Sequence, residues 1–306
     1  MIKIIFFANF CKDSKVLLND FTDTFLKGKN NYSENISFTS NPEEATHAVV
    51  LNETKCPINL PKENIIGIAY EPLENLNFTK DYIEYVKNNL KYYLIGCDLP
   101  YENFINYYTF LWSIRNRDKY FEGYKYEKKY IMSIILSKQN THFGHKYRRL
   151  LSKKILESNL DIHIYGRGSN DLKEKKISKR RITRIDDVRI KGDFKDHEPY
   201  LEYYYSITIE NIKHDSYISE KFTHCIATDC IPIYYGGRKI DNYFGEKCCY
   251  KITGNIEEDF ELIKNIYNNY QEKLLDLTEA KNNFFEGKSY FMKFINDLWI
   301  EKSFKI

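Results

Sequence analysis

Short β-branched or aromatic runs alternate with longer amphipathic segments along most of the chain, and the alternation breaks once, in a polar stretch near residues 115–129. Alternation of this kind forces parallel strands, because each strand reaches the next through a helical crossover that must bury its apolar face on the sheet. In the first series, residues 3–7, 36–38, 47–51, 64–70 and 92–95 are strand candidates and 14–26 and 81–90 are helical, with Val16, Leu17, Phe21 and Phe25 on one face. The second series has strands at 130–136 and 161–165 and helices at 145–158, 259–277 and 288–300. The pattern predicts an α/β protein of two Rossmann-like, doubly wound domains, residues 1–125 and 126–306, the second ending in terminal helices. The basic segment 173–191 lacks aromatic residues and reads as a solvated helix or loop rather than a nucleic-acid surface.

Residues 207–237 carry the most chemistry. Ile207-Thr208-Ile209 is a buried strand that ends on Glu210-Asn211, and a loop containing Tyr217 follows. Ser219 is a plausible N-cap, which puts Glu220 and Lys221 in the first turn of a helix. A second apolar run, 231–235, stops at Gly236-Gly237. A helix N-terminus offers free N–H groups and partial positive charge to a phosphate. Lys221 adds a full charge there, and Glu220 is suited to accept from sugar hydroxyls. Glu210 and Asn211 lie where open α/β sheets bind ligands, at a strand's carboxyl end. Gly166-x-Gly168, after the 161–165 strand, would let backbone approach a nucleotide, a weak signal by itself.

The ordered set Glu210-Asn211, Tyr217-Ile218-Ser219-Glu220-Lys221 and Ile231-Pro232-Ile233 leading to Gly236 resembles the signature of the α-1,3-fucosyltransferase family, glycosyltransferase family 10. The resemblance implies the GT-B architecture, two Rossmann-like domains facing a cleft. It implies an inverting, metal-independent transfer of a sugar, most often L-fucose from GDP-fucose, to a glycan hydroxyl, with no cofactor. Such transfer needs a stabilised diphosphate, a base for the acceptor hydroxyl and exclusion of water. By resemblance, an arginine early in the 145–158 helix reaches the β-phosphate: Arg148, with Arg149 the alternative one register on. Tyr217 would donate its hydroxyl to a phosphate oxygen, and Glu220 would bind the ribose or the transferred sugar. The family also places a glutamate after a strand of the N-terminal domain as candidate base. Ile65-Ile66-Gly67-Ile68-Ala69-Tyr70-Glu71-Pro72 fits, giving Glu71, with Glu74 the alternative.

Bulk properties exclude other classes. A net charge of +3 is too small to argue for nucleic acid or an anionic membrane as main partner. The apolar stretch after Met1 is ended by Asn9, Lys12 and Asp13, so it reads as a strand rather than a leader or anchor, and a soluble intracellular location with reduced thiols is expected. No Asp-x-Asp, zinc-ligand spacing, Gly-x-Ser-x-Gly or P-loop occurs. The competing readings are another nucleotide-sugar on the same fold, a non-catalytic glycan- or nucleotide-binding protein, and an RNA-binding protein using 173–191.

Overall fold

The computed structural model describes residues 1–26, 32–54, 56–76, 78–110, 126–178, 181–184, 186–195 and 197–305. Two six-stranded sheets, each wholly parallel, account for its two halves. The first contains β1 (Ile2–Ala8), β2 (Ile36–Phe38), β3 (His47–Leu51), β4 (Ile65–Ile68), β5 (Tyr92–Ile95) and β6 (Phe104–Asn106), in spatial order β2-β1-β3-β4-β5-β6. The second contains β7 (Tyr130–Ile135), β8 (Ile162–Tyr165), β11 (Ile190–Gly192), β12 (Tyr203–Ile209), β13 (Ile231–Tyr235) and β14 (Tyr250–Lys251), in order β11-β8-β7-β12-β13-β14. A short antiparallel pair, β9 (Glu174–Ser178) with β10 (Arg181–Arg184), stands apart. The expected α/β fold of two doubly wound sheets is therefore present. Among the described residues no helix is long and apolar enough to cross a membrane.

Sheets covered on both faces need strands that are apolar at every position. All four residues of β4 and all five of β13 are buried. Pro232 survives in such a strand because of its orientation. The carbonyl of Tyr234 accepts from Ile252 N, so residues 232 and 234 both face the β14 side, and β14 pairs only with 233 and 234. The missing N–H thus costs no ladder bond.

Each sheet reverses its winding once. The first series turns between β1 and β3, the second between β7 and β12. Ligand crevices in open α/β sheets form at the carboxyl edge of such points. In the second sheet the bordering segments are the loop after β7, which leads into the Phe143–Glu157 helix, and Glu210-Asn211 after β12.

Several expectations are corrected. The first helix runs Ser14–Phe25, capped by Asp13, whose carboxylate accepts from Lys15 N at 2.8 Å. Its buried face uses Leu17, Leu18 and Phe21, whereas Val16 is exposed, because 3.6-residue spacing favours 18 and 21 over 16 once the sheet fixes the helix's rotation. The basic segment contains the β9–β10 pair, not a helix, with residues 179, 180 and 185 outside the description. The helix expected at 259–277 ends at Asn268, and a separate one occupies Thr278–Phe285. The terminal helix is a short Phe291–Ile295 segment that continues into a π turn, Asn296–Ile300. The polar linker near 115–129 falls mostly outside the described residues, and so does the expected domain boundary at 125. The last segment returns to the first sheet: Phe291 meets Phe21 edge-on at 5.6 Å, and Trp299 packs on His47 at 4.6 Å.

Gly67 shows why a glycine stands in a buried strand. A Cβ there would lie 2.1 Å from the Tyr93 ring, and Tyr93 is fully buried with its hydroxyl donating to Asn52 O at 2.5 Å. Gly67→Ala is expected to lower the unfolding free energy by about 1–3 kcal/mol, the usual cost of overpacking. Urea unfolding checks this as a shifted midpoint at unchanged slope. A variant as stable as the parent would mean that the Tyr93 ring is free to move aside.

Candidate active site

The site is built around a buried carboxylate. Glu210 follows β12 with its side chain fully buried. Burying a carboxylate is expensive unless both oxygens find donors. Here Ser219 supplies both: its N–H donates to Oε1 and its hydroxyl to Oε2, each at 2.7 Å. Burial pushes the Glu210 pKa up, while the Lys221 charge and the Ser219 bonds pull against that rise. The same Ser219 oxygen accepts from Lys221 N at 3.3 Å, so Ser219 is the N-cap of the Glu220–Ala227 helix, as its sequence position indicates. Glu210 thus joins the two ends of the 211–219 loop.

Lys221 projects from the first turn. Its Nζ lies 2.9 Å from Glu220 Oε1, 3.0 Å from Ser219 Oγ and 3.9 Å from Glu210 Oε2. Burial opposes ionisation of Glu220, but Lys221, by charge and hydrogen bond, and His224 hold its pKa at about 2. Glu220 is therefore an anion at any working pH.

Arg148 is 2% exposed, one turn into the Phe143–Glu157 helix. Its Nε donates to Gly144 O at 3.2 Å and its Nη2 to Asn211 Oδ1 at 2.5 Å. Burial lowers its pKa while Glu210 and Glu220 raise it, and a guanidinium stays protonated regardless. Arg148 and Lys221 line one small cavity with Tyr200 and Thr208. Arg149 instead turns outward and pairs with Asp171 at 3.1 Å. This convergence depends on Gly144, where a Cβ would lie 1.8 Å from Glu210 O; its own N–H donates to Asn211 O at 3.0 Å. Only glycine lets the helix start sit on the end of β12.

Tyr217 is buried, and burial raises its pKa, followed by the charges of Glu210, Glu220 and Glu71, with Arg148 opposing. Its hydroxyl thus lies in the field of groups from both sheets. Its backbone rests on Gly96, where a Cβ would come within 2.6 Å of Tyr217 N, and Ser216 N donates to Gly96 O at 2.9 Å. The 211–219 loop is thereby docked on the end of β5.

Glu71 is exposed beyond the end of β4, where Pro72 begins a 3-10 turn, Leu73–Asn75. Asn75 Nδ2 donates to Glu71 Oε2 at 3.1 Å. The preceding residue is pinned: Tyr70 N donates to Asn52 Oδ1 at 2.7 Å, with Asn52 itself at φ 59°. Glu74, the alternative, receives His214 Nε2 on both oxygens, at 3.0 and 2.9 Å. Gly166 and Gly168 serve packing: added Cβ atoms would meet Leu136 O at 2.5 Å and Ser137 O at 2.1 Å. Among the described residues no cluster of three His, Cys, Asp or Glu could hold a metal.

Sequence reasoning missed Asn52, Asn75, Gly96, His142, Gly144 and His214, all of which touch the residues above. His214 lies inside the 207–237 stretch. The others lie in segments without a pattern of their own.

His145 provides a pH test. It is 1% exposed, and burial, then the charges of Arg148, His142 and Lys221, lowers its pKa to about 4 from an ordinary 6.5. His47 is lowered to about 4 as well, chiefly by burial. Between pH 6.5 and 4 the unfolded chain binds more protons than the folded one, so stability falls as pH falls through that window. His145→Gln is expected to flatten the loss, leaving the parts due to His47 and to His163, whose pKa burial also lowers. Denaturant unfolding at pH 7 and 4.5 reads this, and an unchanged difference between the two pH values would exclude a buried neutral His145.

Known proteins resemble this chain in sequence family and in fold. The model of glycosyltransferase family 10 (fucosyltransferase), C-terminal part, matches residues 125–291, more than half of the chain. A crystal structure of an α1,3-fucosyltransferase superposes with a TM-score of 0.51 at 17% identity, covering 97% of this chain and 89% of that one. An α1,3-fucosyltransferase structure with GDP-fucose gives 0.49 at 15% identity, over 94% of this chain and 82% of that chain. No curated protein matches the chain in sequence. The chain is a glycosyltransferase of family 10, the fucosyltransferase family, and it has that family's two-sheet GT-B fold.

Proposed function

We propose that the protein transfers L-fucose from GDP-fucose to a hydroxyl of a glycan acceptor, with inversion at the anomeric carbon and without a metal. One observation carries this reading: the side chains of Arg148 and Lys221 meet at the Glu210-Asn211 end of β12, Arg148 bonded to Asn211 Oδ1 at 2.5 Å and Lys221 Nζ 3.9 Å from Glu210 Oε2. A guanidinium and an ammonium supply the positive charge that a diphosphate leaving group needs. Arg148 has N–H groups beyond the two bonds it makes here, so it can grip a phosphate and keep Asn211. Tyr217 adds a hydroxyl donor and Glu220 an acceptor for sugar hydroxyls. Glu210 and Asn211 shape the pocket.

In the reaction, the acceptor oxygen bonds to the anomeric carbon as the bond from that carbon to the β-phosphate oxygen breaks. The electron pair leaves with GDP, and the acceptor proton passes to Glu71. The acceptor is expected at the first sheet's own switch point. There a cavity of about 370 Å³, lined by residues that include Phe7, Asn9, Lys12 and Thr54, opens between the ends of β1 and β3.

Two measurements test this. Lys221→Ala and Arg148→Ala should each weaken GDP binding at least about tenfold, since losing one partner of a buried charged contact costs roughly 2–5 kcal/mol. Arg149→Ala should leave it unchanged, and EDTA should leave the parent's affinity unchanged. Calorimetry that finds a need for manganese would sink the metal-free reading, and a panel of GDP-, UDP- and dTDP-sugars decides the donor. Glu71→Gln should lower kcat about 10²–10⁴-fold while GDP affinity stays near the parent's, because a base acts in the transition state. An enzyme that keeps most of its turnover would place the base elsewhere.

A further inference from the structure

The turn that follows Glu71 is gripped from the opposite sheet by two histidines. Asn75, which donates to Glu71 Oε2 at 3.1 Å, has its Oδ1 2.9 Å from His142 Nε2. Glu74, one residue earlier, takes His214 Nε2 at 2.9 Å. His142 is the residue just before the Phe143–Glu157 helix that carries Arg148, and His214 lies in the 211–219 loop. The helix that carries Arg148 and the loop that leads to Lys221 therefore both hold the short turn behind the carboxylate.

Chemistry fixes the direction of the first of these contacts. An ionised carboxylate only accepts, so Asn75 must turn its amide nitrogen to Glu71 and its oxygen to His142. That oxygen only accepts as well, so His142 must carry a proton on Nε2. The bonds run in one sense, His142 to Asn75 to Glu71. Asn75 occupies Oε2, and among the described residues no hydrogen bond is made to Oε1.

We propose that Asn75 and His142 are positioning residues for Glu71: they fix its carboxylate so that Oε1 faces the acceptor hydroxyl, and they tie that orientation to the seating of the Arg148 helix. The inference rests on Glu71 being the base, and it adds a link between donor-side geometry and the proton acceptor. Displacing a reacting group by about 1 Å can cost roughly 10²-fold in rate. A contact that acts only on Glu71 has nothing left to contribute once Glu71 is gone.

The test compares Asn75→Ala, His142→Phe, His142→Gln, Glu71→Gln and the double variant Glu71→Gln/Asn75→Ala in the full chain. It reads kcat, donor KM, GDP affinity and melting temperature. Asn75→Ala and His142→Phe are expected to lower kcat about 10- to 100-fold, with GDP affinity and melting temperature near the parent's. His142→Gln, whose amide can still donate to Asn75, should recover most of the loss. The double variant should be no slower than Glu71→Gln alone. Parental kcat in Asn75→Ala, alongside a disabled Glu71→Gln, overturns the positioning role and leaves the base intact. Losses that multiply in the double variant, or that track a weakened GDP affinity, reduce the bridge to a docking contact and overturn it too. A Glu71→Gln enzyme that retains turnover identifies the other failure, that of the base reading itself.

Discussion

The pairing of Glu210 with both donors of Ser219 is the contact on which the rest of the site depends. A carboxylate fully withdrawn from water is tolerated only while its oxygens are satisfied, and here one residue nine positions away satisfies both. That residue is also the helix N-cap, so the bonds that satisfy the buried carboxyl group fix where the helix begins. Lys221 and Glu220 take their places from that start. Tyr217 is carried on the loop that the bond closes, and Asn211, at the loop's other end, meets Arg148. Removing the carboxylate would leave a buried N–H and hydroxyl unpaired and release all of these together.

Two sheets wound the same way bring their ligand edges together, but winding alone does not bring side chains into contact. Close backbone approach does. Gly144 lets one helix start rest on Glu210 O, and Gly96 lets the 211–219 loop rest on the end of β5. On the first sheet, Asn52 adopts a left-handed conformation at the end of β3. Its backbone carbonyl takes the hydroxyls of Tyr82 and Tyr93, and its side chain holds Tyr70 N. Asn tolerates that conformation at lower cost than other residues with a Cβ. Glu71 is thus presented from a rigid base rather than a loose loop.

The electrostatics are arranged to keep charge in place. Lys221 is shared between Glu220 and Ser219, and Arg148 is tied to Asn211 and Gly144, so neither cation wanders. Glu220 remains ionised because Lys221 and His224 outweigh its burial. Low local dielectric makes each of these interactions stronger than it would be at the surface.

The α/β class, the two winding series and most strands were readable from the sequence, because a strand buried on both faces must be apolar throughout and a helix must repeat its apolar face every 3.6 residues. Ser219 as N-cap was readable for the same local reason. The basic segment and the terminal helices were misread because hairpin pairing and helix ends are set by partners far away in the chain. Asn75, His142 and His214 had no local signature at all: their spacing in sequence says nothing until the two sheets meet. Local pattern, which depends on neighbours within a few residues, determined the elements and the family's motif. Contact between residues as far apart as 75 and 142, or 74 and 214, exists only once long-range packing has fixed both ends, and that packing alone decided how the motif is assembled into a site.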